Sequence, residues 1–389
     1  MKHQTYIAFL FTLATFFACE SPDIPLQRPD RYGDIVFSAQ PQKRQTRQTS
    51  QTSQTRTNPY EAYDSQRHPG SMGAYGFQDL SQSAALSSGT ADANAIYFNE
   101  RATHDAATQS WTTAVPKHWA DYPAATSFDF FAYMPHTDGA TLVRTATDTY
   151  TLSFPFSMSN GAAAPVIFNQ TDAPIICALP NHKEDVTADG ADRVVDFKFD
   201  QTLTAYRLLF ILDTKMNAIR HFRIKRVSLS GTLATSCTIS RTYTWQADKQ
   251  RWSAASIAWS NLRREAFLET PFLLPYEGHG TAAYDDNTQT ALVTAAATTQ
   301  WGRDFYTIPD AQFQPVIQVT YDVELTAQDG TTLVTRKDVT SSIALSKTNF
   351  SNLATGKTAM LNPIRILIQP RYLYVLADQD AYTGHLLID

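Results

Sequence analysis

Glutamate, cysteine and long apolar runs are what this chain is short of. Its three cysteines, Cys19, Cys177 and Cys237, are spread over 389 residues, which is neither the density of a disulfide scaffold nor a metal-ligand spacing. No apolar stretch reaches the roughly 20 residues a membrane-spanning helix needs. There is no G-x-S-x-G, no H-E-x-x-H, no Gly-rich phosphate loop after a strand and no His pair at metal spacing. On that basis no catalytic residue, no metal ligand and no cofactor is assigned. His279, between Gly278 and Gly280, reads as a loop histidine, and Asp285-Asp286 and Asp378-Gln379-Asp380 read as acidic turns short of a full calcium ligand set. Paired carboxylates of a glycoside hydrolase stay open, because their spacing is set in space and not along the chain. A formal charge of −5 without a basic stripe argues against nucleic acid as a partner.

What is there favours strands. Thr and Gln are abundant, and Tyr and Phe are frequent. An all-β protein is therefore expected. Residues 34–39 alternate so that Ile35, Phe37 and Ala39 share one face. Residues 72–77 and 95–98 read as short strands, and Trp111 falls in a turn-rich stretch. In residues 127–135, Phe128, Phe130, Ala132 and Met134 alternate until Pro135, as in a central strand. Residues 175–179 form an apolar run suited to burial on both sides. The charged stretch 181–193 is read as a domain boundary, after which residues 194–200 alternate and open a second domain. Gln328-Asp329-Gly330, between alternating flanks, is the clearest hairpin, and residues 254–269 are read as one short helix. Trp245, Trp252 and Trp259 are either exposed ligand platforms or, more in keeping with large aromatics, core residues. Because Cys177 and Cys237 would have to bridge two domains, separate buried thiols are expected over a disulfide.

The N-terminus has a different character. A basic start is followed by an apolar run at residues 7–17, the length of an export-signal core, ending in Phe16-Phe17-Ala18-Cys19. This resembles the lipobox of bacterial lipoproteins, with Phe16 where Leu is usual, and implies acylation of Cys19 and a signal peptide of residues 1–18. Removing those from 389 leaves 371 residues, enough for two domains. After the strand carrying Ile35 and Phe37 comes a polar linker at residues 43–57 containing Arg44, Arg47 and Arg56. With almost no apolar content it cannot fold alone and is open to proteases. Its arginines read equally as solubilising charges or as contacts to anionic lipid headgroups.

Together these features resemble the fimbrillin family, the FimA-type pilins and pilin-like lipoproteins of Bacteroidales. The resemblance rests on the lipobox, on Ile35-Val36-Phe37 followed by Arg44 or Arg47, on the aromatic segment 128–135, on Gln170-Thr171-Asp172 before an apolar strand, and on the segment 195–212. It spans most of residues 19–369. It implies two transthyretin-like β-sandwich domains in series, at residues 58–190 and 191–369, preceded by a tether, first strand and cleavable linker at 19–57. It further implies a pilin subunit exported as a lipoprotein to the outer membrane and the extracellular face. An Arg-specific protease, cutting at Arg44, Arg47 or Arg56, would remove the first strand, and a strand of another pilin subunit would replace it. The alternative is an uncleaved surface lipoprotein that anchors a fimbria or binds glycan or host protein, with host or bacterial surface ligands as partners. The tail at residues 370–389 is surplus to a finished sandwich: Leu373 and Val375, then Leu386 and Ile388, mark two strand candidates that either pack on their own domain or are donated to a neighbour.

Overall fold

The structure, a computed structural model, describes residues 33–41, 69–83, 85–158, 173–184, 186, 193–212, 220–274, 291–293, 299–310, 312, 315–327, 329, 331–344, 361–369 and 385–388. Among them the regular structure is strand, with short 3-10 turns and no α-helix. The first ten strands are β1 (Val36–Pro41), β2 (Met72–Gln78), β3 (Ala95–Asp105), β4 (Ser110–Thr113), β5 (Ser127–Met134), β6 (Thr141–Ala146), β7 (Thr149–Ser157), β8 (Ile175–Cys177), β9 (Asn181–Glu184) and β10 (Val194–Gln201). There follow β11 (Thr204–Leu212), β12 (Arg220–Gln246), β13 (Arg251–Ala254), β14 (Ala258–Leu274), β15 (Ala291–Val293), β16 (Thr299–Thr307), β17 (Val316–Thr326), β18 (Thr332–Ala344), β19 (Leu361–Gln369) and β20 (His385–Ile388). The all-β expectation holds.

The first sheet closes on itself. Its order is β2-β3-β4-β1-β10-β8-β5, and β2 pairs again with β5, while β9 extends the edge of β5 that β8 leaves open. The composition of β5 explains why it is central. Phe128 and Phe130 turn into the ring, where they meet Trp119 and Phe37 edge-on. Phe131 and Tyr133 turn outward against Tyr150, Tyr243, Trp252 and Phe154. Alternation predicted the inward face, but the outward face is buried too, because a second sheet lies on it.

That second sheet runs β18-β17-β12-β7-β6, with β13, β14 and β15 along the other edge of β12. β12 is 27 residues long. Its first part, to Ser230, pairs with β17, and its last part, from Ser236, pairs with β7. A third sheet is ordered β16-β11-β19-β20. β17 and β18 pair antiparallel as the predicted hairpin requires, and between them Ala327 N donates to Thr331 O at 2.8 Å and Thr331 N to Asp329 Oδ1 at 2.9 Å.

One local expectation is corrected. Residues 254–269 form the end of β13 and most of β14, paired along β12; three register shifts in that pairing break the alternation that would have marked a strand. Trp111 lies in the short strand β4, between turns, opposite Phe37. Residues 194–200 form the alternating strand expected there, β10, which pairs with β1 and β8 in the first sheet and buries Val195, Phe197 and Phe199 in that core. The same cluster takes in Cys237, Tyr243, Trp252 and Ile308, so side chains from both sides of the expected boundary share it. Cys177 and Cys237 are buried and unpaired with each other, as expected. Trp252 is buried, and Trp245 and Trp259 pack half-buried on the core.

Candidate functional site

The candidate site is the seat of β1. Alternation predicted Ile35 and Phe37 as its inward residues, and they are 3% and 0% exposed. Phe37 is stacked on Phe197 at 5.7 Å and meets Tyr97 and Phe130 edge-on at 5.5 and 6.2 Å. Val36 and Ser38 are buried as well, so β1 is covered on both faces. Ser38 Oγ donates to Asp196 Oδ1 on β10.

The two edges of β1 are held differently. Along one edge it runs parallel to β10 for its whole length, from Val36 opposite Val194 to Pro41 opposite Phe199. On the other edge it meets β4 at Phe37 opposite Trp111. Its entry is clamped by residues 117–119: Ile35 N donates to Lys117 O at 2.7 Å, Trp119 N to Gly33 O at 2.8 Å, and His118 Nδ1 lies 2.6 Å from Asp34 Oδ1. Trp119, 2% exposed, roofs the ring interior and donates from Nε1 to Arg193 O at 3.2 Å. Neither Trp111 nor Trp119 was assigned to the site from the sequence, since only the pairing of distant strands brings them to β1.

Magnitudes decide what the seat can do. Full burial of Ile35, Val36 and Phe37 contributes about 1.5 to 3 kcal/mol each, thus roughly 5 to 9 kcal/mol as an upper estimate. A strand cut from the chain must offset about 4 kcal/mol or more of lost translational and rotational freedom to stay bound. Within the intact chain, where no such loss of freedom is incurred, β1 is therefore held firmly. Its departure would leave Phe197, Tyr97 and Phe130 facing an open slot and the facing backbone edge of β10 without its partner.

The other sequence-predicted residues fall elsewhere. Cys19, Arg44, Arg47, Arg56, Leu373 and Val375 lie outside the described residues. The backbone at Leu386 and Ile388 belongs to β20, which pairs antiparallel with β19 of the same chain, Leu386 opposite Ile368 and Ile388 opposite Ile366. The seat of β1 and β20 lie in different sheets. Among the described residues no three His, Cys, Asp or Glu side chains gather as a metal ion would require.

No family model matches the chain, and no curated protein is recognisably similar to it in sequence. Solved structures do resemble it. A fimbrial protein from Bacteroides vulgatus matches with 18% identity and a TM-score of 0.45, covering 82% of this chain and 92% of that one. The fimbrial anchor protein Mfa2 from Porphyromonas gingivalis matches with 12% identity and a TM-score of 0.30, covering 92% of this chain and 96% of that one. Both likenesses are distant in sequence and in structure.

Proposed function

We propose that this chain is a structural subunit of a cell-surface fimbria that contributes to adhesion and has no catalytic activity. In this reading it is exported as a lipoprotein acylated at Cys19, reaches the extracellular face of the outer membrane, and is cut after Arg44, Arg47 or Arg56. It then assembles by strand exchange between transthyretin-like units. The observation that carries the reading is the position of β1: a single strand, buried on both faces, followed within a few residues by an Arg-bearing linker. Loss of an inward strand exposes apolar side chains and unpaired backbone, and an incoming strand satisfies both. A head-to-tail contact of this kind does not close, so it propagates a filament.

The topology is in keeping with this reading. β10 has a parallel partner, β1, on one edge and an antiparallel one, β8, on the other. β11, joined to β10 through Thr202 and Leu203, has a parallel partner, β19, and an antiparallel one, β16. A strand from the C-terminal region thus already lies parallel on β11 as β1 does on β10. The pairing of β20 with β19 favours a second reading for the tail, in which Leu386 and Ile388 complete their own sheet and the protein acts uncleaved, as an anchor or binding lipoprotein.

Limited trypsin treatment of the purified full-length protein separates these. Cleavage in the linker is expected to convert monomer into ladders that survive mild detergent, and deletion of residues 372–389 to prevent them. Ladders that persist without the tail would assign donation to another strand. A trimmed protein that stays monomeric at high concentration would overturn strand exchange.

A further inference from the structure

Away from the seat of β1, on the outward face of β5, several chain segments surround a cleft of about 310 Å³. At its base is Asp129, a carboxylate 5% exposed in an otherwise apolar strand. Both of its described donors fall on one oxygen: His182 Nδ1 lies 2.7 Å and Trp252 Nε1 2.8 Å from Oδ1. Oδ2 receives no described donor and is not a fully buried atom, so it is open to the cleft and free to accept from a ligand. The mouth carries Glu184, whose side chain is 65% exposed, and Asp148. One wall is Trp245, half-buried, with its ring 4.4 Å from that of His182. Asp148 and Gln250, which also line the cleft, sit at turn tips with φ of 56° and 47°, left-handed conformations that are uncommon for residues other than glycine.

The chemistry is that of a small hydroxylated ligand. An indole wall offers an apolar face and an edge for packing, and carboxylates accept hydrogen bonds from hydroxyl or amino groups. The volume suits one sugar ring and not an extended peptide. Three carboxylates against one imidazole repel an anion. We propose that this cleft binds a terminal uncharged or amino-bearing sugar of a surface glycan and excludes acidic sugars. This deepens the adhesive reading and rests on it for the source of the ligand, whereas the site itself rests on geometry alone.

The test is direct binding to the intact purified protein, so that its failure is independent of any failure to polymerise. Saturation-transfer NMR and tryptophan fluorescence would follow titrations with galactose, N-acetylglucosamine, glucosamine, glucuronic acid and methylammonium. Binding of one or more of the first three is expected, with none by glucuronic acid. Trp245→Ala and Glu184→Lys should each weaken it about tenfold or more. Glu184 is largely exposed, so Glu184→Lys should keep the core folded, read as an unchanged near-ultraviolet circular dichroism spectrum, and remains informative even where Trp245→Ala disturbs packing. The proposal is overturned by absence of any sugar binding, by equal binding to Glu184→Lys, by binding of glucuronic acid at the same strength, or by methylammonium binding as tightly as glucosamine.

Discussion

At the scale of the residue, the most informative side chain is one that hydrophobic periodicity passes over. Asp129 interrupts an aromatic strand, and its partner His182 lies 53 residues away on β9. Burial of the imidazole by itself would lower its pKa, but the hydrogen bond and charge of Asp129, helped by Glu184, outweigh burial and raise it above the ordinary value of 6.5. A histidine whose folded pKa is raised stabilises the folded chain fully below its unfolded pKa, and that stability is lost as pH rises through the folded value. The urea midpoint is therefore expected to fall across a window that opens near 6.5 and extends upward. His182→Gln should remove that slope and lower the midpoint below about pH 6.5, where the stabilisation it deletes is fully present. Urea titrations from about pH 5 to 9, with the imidazole followed by NMR, check this. A His182 that titrates below 6.5 would show that burial wins. The thiols belong to the same scale: burial drives Cys237 up to about 12 and Cys177 upward as well, so neither is a reactive group at neutral pH.

At the scale of the element, β2 and β5 show how closely two central strands approach. Gly76 on β2 faces β5 at a point where a Cβ would lie 2.7 Å from the Phe130 ring, and a Cβ on Gly73 would run into the Tyr133 ring. Neither glycine is at positive φ, so their role is room for aromatic side chains and not backbone freedom. Gly76→Ala and Gly73→Ala are each expected to cost about 1 to 3 kcal/mol through overpacking, read as a drop in urea midpoint at constant m-value. Gly70→Ala, where the added Cβ meets nothing within 4 Å, should change stability by less than about 0.5 kcal/mol. Equal effects at all three positions would mean that β2 and β5 are not packed as described.

At the scale of the molecule, connectivity and packing divide the chain differently. Residues 58–190 read as a first domain, yet the ring they help to build is closed by β1 and β10, and its outer face is covered by β12 and β13. A fragment of residues 58–190 would lack Phe37, Phe197, Tyr243 and Trp252 from its core. It is expected to show no near-ultraviolet circular dichroism and no dispersed NMR amide signals. A folded fragment would show instead that the ring tolerates both gaps. β12 bears on the same question, since one uninterrupted strand serves β7 at one end and β17 at the other.

The sequence by itself determined the class of the fold, the inward face of β1, the central place of β5 and the hairpin at Asp329-Gly330. These are local: they follow from a period of two, from aromatic and β-branched content, and from turn chemistry that a few neighbouring residues carry. It did not determine where β10 pairs, that β14 is a strand, or that Asp129, His182 and Trp245 meet at one cleft. Those depend on partners tens to more than a hundred residues apart. Val195 and Phe197 would alternate identically in either domain, register shifts along β12 erase the pattern of β14, and a buried carboxylate is explained only once its donors arrive from β9 and β13. Alternation says that a strand has a buried face, and the tertiary structure alone decides which core receives it.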